Sequence, residues 1–164
     1  MTPEAPKKEI MNRTAADNSY MHKDFHGALS RALIYLQDRY GDESVREYLR
    51  QFATSFYAPL TANVKQRGLA AIQEHYEQIY RIEEGQVHFT LSDGSMLMTS
   101  EANPAVIYLR EHGMPVAPLF SETIKTVNET ICEGTSYAAE MLSYDEATGA
   151  SAVRFSLRAP GRPA

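Results

Sequence analysis

Val87-His88-Phe89-Thr90-Leu91-Ser92-Asp93-Gly94-Ser95-Met96-Leu97-Met98-Thr99 is the stretch that decides the fold. Upstream of it apolar residues recur at helical spacing. Within it they alternate, Val87, Phe89 and Leu91 against His88 and Thr90, the period of a strand with one buried face. Asp93-Gly94 is the strongest short hairpin signal, because the two-residue turns that match strand twist favour this pair. With those two as the loop, Leu91 pairs with Met96 and Phe89 with Met98, so both strands present the same apolar face.

Working upstream, Met21 to Tyr40 predicts a helix with Phe25, Leu29, Ala32, Leu33, Leu36 and Tyr40 on its inner face. Asp42 is placed to cap a second helix, in which Val45, Leu49, Phe52 and Phe56 repeat at helical spacing. A short helix runs from Pro59 to Arg67, and another from Leu69 to about Glu83 turns Ile72, Tyr76, Ile79 and Tyr80 inward. Downstream, Asn103-Pro104 opens a helix with proline at its first position. Leu119 to Glu133, L-F-S-E-T-I-K-T-V-N-E-T-I-C-E, is amphipathic through Phe120, Ile124, Val127 and Ile131, with Ser121 as its expected cap. Ser121, Asn128 and Cys132 form a polar seam along one edge of that stripe. Tyr137 to Tyr144 and the segment carrying Val153, Phe155 and Leu157 alternate again about a turn at Asp145 to Gly149. This order predicts an α+β fold: a small antiparallel sheet of about four strands, in two hairpins, packed against several helices. One domain is expected over 21–158, between a mobile leader at 1–20 and a flexible tail at 159–164.

The chain has 164 residues and a net charge of −5, which gives no general attraction to phosphate backbones and argues against a nucleic-acid partner. No run reaches membrane-spanning length and no apolar signal core is present, so a cytoplasmic protein without a membrane partner is expected. A single cysteine, Cys132, excludes an intramolecular disulfide and a multi-cysteine metal site. Self-association through an exposed helix face stays open.

Candidate chemistry is sparse. His22 and His26 stand four apart on the first helix, a spacing that lets two imidazoles reach one metal ion. Asp24 points away from both, so a third ligand would have to come from elsewhere, such as Glu122 or Cys132. Local hydrogen bonding is the simpler reading, and no metal or cofactor is expected; His26 is then a candidate general base. Glu122 suits the positive end of its helix dipole, a surface role as readily as a catalytic one. Asn128 is more informative, because a buried amide must either fix backbone or bind a polar ligand. Cys132 reads as a small buried hydrophobe, since the C-terminal end of a helix raises a thiol's pKa. Arg110 and Arg154 can each bind a substrate carboxylate, with solvation as the default for both.

Several segments together are similar to the L-2-amino-thiazoline-4-carboxylic acid hydrolase family: H-K-D-F-H-G-A-L from His22, the helix ending Tyr40-Gly41, Asn103-Pro104-Ala105, Phe120-Ser121-Glu122, Val127-Asn128-Glu129, Ile131-Cys132, Tyr144-Asp145, Thr148-Gly149 and Arg154-Phe155. The resemblance covers the chain from His22 to Arg158. It implies hydrolytic opening of a 2-aminothiazoline-4-carboxylate ring toward a carbamoyl-cysteine, a step toward L-cysteine at a non-peptide carbon–nitrogen bond of a cyclic amidine. For such a reaction the catalytic set is His26 as base, Glu122 against the amidinium and Asn128 as orienting group, with His22, Arg110 and Arg154 holding the substrate. The chain departs from the family where it carries Asn103, Ser121 and Ser151 in place of cysteines, which leaves Cys132 as the one match of that type. A non-catalytic protein that binds a small organic acid is the alternative.

Overall fold

In the computed structural model, residues 23–158 are described; the expected leader, His22 and the tail lie outside the described residues. Helices α1 (Asp24–Tyr40), α2 (Asp42–Phe56), α3 (Ala58–Arg67) and α4 (Leu69–Ile82) come first. Strands β1 (His88–Ser92) and β2 (Ser95–Ser100) follow, then α5 (Pro104–Glu111), α6 (Glu122–Ile131), β3 (Tyr137–Tyr144) and β4 (Ser151–Leu157). The strands make one antiparallel sheet in the order β1-β2-β4-β3, so the fold is α+β as expected.

The first hairpin has the expected register, Leu91 opposite Met96 and Phe89 opposite Met98. Met96 in turn faces Phe155 and Met98 faces Val153, and Ala139 and Met141 carry the same row onto β3. This inner face meets the helices, with Met96 and Phe155 fully buried. Each such side chain contributes about 1.5–3 kcal/mol relative to exposure. The outer face carries Arg154 and Glu140, 3.6 Å apart and both exposed.

Helix α6 packs against both α2 and β3, and for that reason seven of its ten residues are buried, well beyond a single stripe. Four local expectations differ from the structure. Ser121 makes no side-chain cap; its backbone is already helical, and Thr123 Oγ1 donates to Phe120 O at 2.6 Å instead. Asp42 lies inside α2, whose cap position is Gly41, and accepts from Gln37 Nε2 at 3.0 Å. Phe56, expected on the buried stripe of α2, is 65% exposed and stacks on Phe52 at the helix end.

The fourth concerns α1. Leu29, Leu33 and Leu36 of the expected row pack on the core, but the helix is rotated enough that His26 and Ser30 beside them are buried while Phe25 and Tyr40 are 51% and 66% exposed. Ser30 holds that rotation. Its hydroxyl donates to Pro115 O at 2.7 Å and accepts from Ala117 N at 2.9 Å, so one side chain satisfies two backbone groups of the segment leading into α6. The rotation brings His26 inward. Among the described residues no helix is long and apolar enough to cross a membrane.

Candidate functional site

A cavity of about 220 Å³ lies between α1, α2, α4, α6 and the start of α5. Its wall is mainly aromatic and aliphatic, and Phe25 and Tyr48, both partly exposed, belong to its outer part. Two polar groupings in that wall bear on its chemistry.

The first is a hydrogen-bonded pair that joins α1 to the residue following α4. His26 Nε2 lies 3.1 Å from Glu83 Oε2, with side-chain exposures of 11% and 5%. When the carboxylate is ionised, that bond requires Nε2 to carry the proton, which leaves Nδ1 as the basic nitrogen. The other oxygen, Glu83 Oε1, is buried with no hydrogen-bond partner. A buried carboxylate oxygen without a donor is costly, and its natural resolution is a donor on a bound molecule.

The second grouping is Tyr76 and Asn128. Tyr76 Oη donates to Asn128 Oδ1 at 2.7 Å, and Asn128 Nδ2 donates to Ile124 O at 2.8 Å. Burial pushes the Tyr76 phenol well above its usual pKa, with Tyr57 and Tyr80 adding to the shift, so it stays a donor. The amide has two N–H donors and uses one on Ile124, so a donor position is left for a ligand. Burial likewise raises Tyr80 and Tyr57, and both line the cavity as neutral phenols.

Of the residues singled out in the sequence, His26 and Asn128 reach this one cavity. Asn103 and Ser151 line it as well; Asn103 caps α5 by accepting from Ala105 N at 2.9 Å, and Ser151 Oγ sits 3.3 Å from Ser100 Oγ. His22 lies outside the described residues. Arg110 and Arg154 are not in the wall: Arg110 donates to Glu146 O at 2.7 Å, and Arg154 sits on the outer face of the sheet.

Glu122, expected in the catalytic set, is not in the wall either, because its side of α6 packs against α2. Arg46 Nε donates to Glu122 Oε1 at 2.9 Å and Thr126 Oγ1 donates to Oε2 at 2.7 Å, so both oxygens are occupied. Burial pushes this carboxyl up, but the bonds from Thr126 and Arg46, helped by the charge of Lys125, outweigh it and leave the pKa below 4.5. A lowered carboxyl pKa adds stability that is full above the unfolded value and lost as pH falls through the folded one. Glu122→Gln is therefore expected to cost about 1.5–3 kcal/mol at pH 7, the worth of charged hydrogen bonds. In urea denaturation the gap to wild type should close as acid protonates the folded carboxyl, at lower pH than for an ordinary glutamate; a gap unchanged in strong acid would contradict the role of the charge.

Glu83 and Arg46 are the functional-looking residues that sequence reading passed over. Glu83 was legible in part, standing three residues after Tyr80 and seven after Tyr76 on the same helical face, a carboxylate at the end of an apolar row. His75 packs edge-on against Tyr57 and Tyr76, and burial lowers its pKa; it does not line the cavity. Cys132 is fully buried with its thiol pushed up to about 12 by that burial, which suits a packing role. Cys132→Ser is expected to keep kcat/KM for any activity of the cavity within about tenfold. Near-complete loss in a folded variant would restore a chemical role.

No protein-family model matches the chain, and no curated protein matches it.

Proposed function

We propose that the chain is a hydrolase that opens a small cyclic amidine, the reaction class that the family resemblance implies through 2-aminothiazoline-4-carboxylate. The observation that carries the reading is the buried His26–Glu83 pair in the wall of a mainly aromatic and aliphatic cavity, with Glu83 Oε1 left without a donor. An amidine presents N–H groups that suit such an oxygen. Glu83 takes the anionic role that the sequence assigned to Glu122.

In the proposed reaction, water oxygen bonds to the amidine carbon while His26 Nδ1 takes its proton. Glu83 holds the imidazole in the required tautomer and stabilises the imidazolium that forms, as a carboxylate does for a catalytic histidine generally. The bond between that carbon and a ring heteroatom then breaks, and the departing atom takes the proton back from His26. One water is consumed and the ring becomes a carbamoyl compound. Asn128, held by Tyr76, orients the substrate or the water through its remaining N–H. The scheme uses no metal and no cofactor, and we place it in the cytoplasm.

Incubating the full chain with 2-aminothiazoline-4-carboxylate and with the same ring lacking the carboxylate, and following products by mass spectrometry, tests the reading. The expected product has gained one water. Binding of either compound without product would favour the non-catalytic binding alternative.

A further inference from the structure

The charges around the cavity speak to its ligand. No lysine or arginine is among the described residues of its wall; His26 and Glu83 are the titratable groups there apart from phenols. Arg110 and Arg154, the two cations expected to hold a carboxylate, are engaged elsewhere. A carboxylate placed in this wall would lose its water without gaining a cationic partner, and that desolvation is strongly unfavourable.

A cation is served differently. Phe25, Phe52, Tyr48, Tyr57, Tyr76 and Tyr80 supply ring faces and edges, and a cation over such a face is attracted by its quadrupole. Glu83 supplies the countercharge. Its terminal torsion is soft, so Oε1 can turn to a bound donor while Oε2 stays with His26. Glu83 and Pro104 also line an adjoining groove that carries Glu84, Glu101 and Glu111, in which Lys23 bonds to Glu84 at 3.0 Å. An acidic groove beside a low-dielectric cavity raises the local concentration of cations.

We infer that the cavity takes an organic monocation with an apolar body and no carboxylate, an amidinium carrying an aryl or alkyl substituent, bound through Glu83. This rests on the proposed site, since it concerns the same cavity, but not on turnover there. It departs from the carboxylate substrate that the resemblance implies.

Benzamidine and benzoate are matched in shape and opposite in charge, and neither has a ring amidine to open. Calorimetric titration of the full chain is expected to give benzamidine a Kd at least tenfold lower than that of benzoate, and Glu83→Gln should raise the benzamidine Kd at least tenfold. Should Glu83→Gln fail to fold, methyl resonances of Ile79 and Ile124, both in the wall, locate the probe in the wild type. They should shift with benzamidine and stay still with benzoate. Benzoate binding as tightly as benzamidine, or benzamidine shifting methyl groups only elsewhere, overturns the inference. The two proposals separate cleanly. Selective benzamidine binding with no amidine opened leaves the inference standing and removes the hydrolase. Turnover of 2-aminothiazoline-4-carboxylate with a lower KM than its carboxylate-free ring does the reverse.

Discussion

His26→Gln is expected to lower kcat/KM for amidine opening by about 10²- to 10⁴-fold, the usual contribution of a positioned general base. Glutamine is the informative replacement because its amide can still donate to Glu83, so the carboxylate keeps its partner while the basic nitrogen is lost. His26→Ala would confuse two effects. It leaves a buried charge unpaired, and breaking a buried pair costs about 3–5 kcal/mol on its own. Turnover should be measured beside a circular dichroism spectrum and a urea midpoint, so that a lost base is told apart from a lost fold. Less than tenfold loss in a folded His26→Gln protein would remove His26 from the role of base, whatever the cavity binds.

How much of this site could be read from the sequence depends on how local its causes are. The first hairpin was legible down to its register, because alternation and the Asp93-Gly94 turn act over adjacent residues. His26 and Asn128 were legible as candidate site residues for a related reason, each being a polar group on a helix whose apolar stripe marks its buried side. The leucines of α1 that face inward were legible, but the further turn that buries Ser30 and exposes Phe25 was not, since Ser30 bonds to Pro115 and Ala117 on a distant segment. The same holds for the two carboxylates. Glu83 meets a histidine 57 residues earlier, and Glu122 meets Arg46 at a separation of 76. A helical wheel gives a direction relative to its own helix and says nothing of which other helix will fill it. Glu122 was read as a catalytic or a surface carboxylate, and it is neither lining the cavity nor free in solvent, because α2 brings Arg46 to that side.

Gly149→Ala is expected to destabilise the chain more than any other single methyl group added at a glycine on a turn, by about 2–5 kcal/mol, from a left-handed backbone and an overpacked contact together. Gly149 is buried with φ +71°, and a Cβ there would lie 2.5 Å from Asn103 Cβ and 2.8 Å from Val106 Cγ2. Neither neighbour can yield easily. Val106 is fully buried, and Asn103 is tied twice, by capping α5 and by donating its backbone N–H to Thr148 O at 2.9 Å. Gly113→Ala is the control, because Gly113 has φ +61° with no atom near its absent side chain. It should show the backbone penalty alone, about 1–2 kcal/mol. Subtracting the two losses, both measured by urea unfolding, isolates the contact between the β3–β4 turn and α5. That contact also bears on the cavity, since Asn103, Pro104 and Ser151 on either side of it belong to the wall. Gly149→Ala should therefore weaken benzamidine binding even under conditions where the variant stays folded, and Gly113→Ala should not. Equal losses of stability in the two variants would mean that the turn is not packed on α5 as tightly as the structure has it.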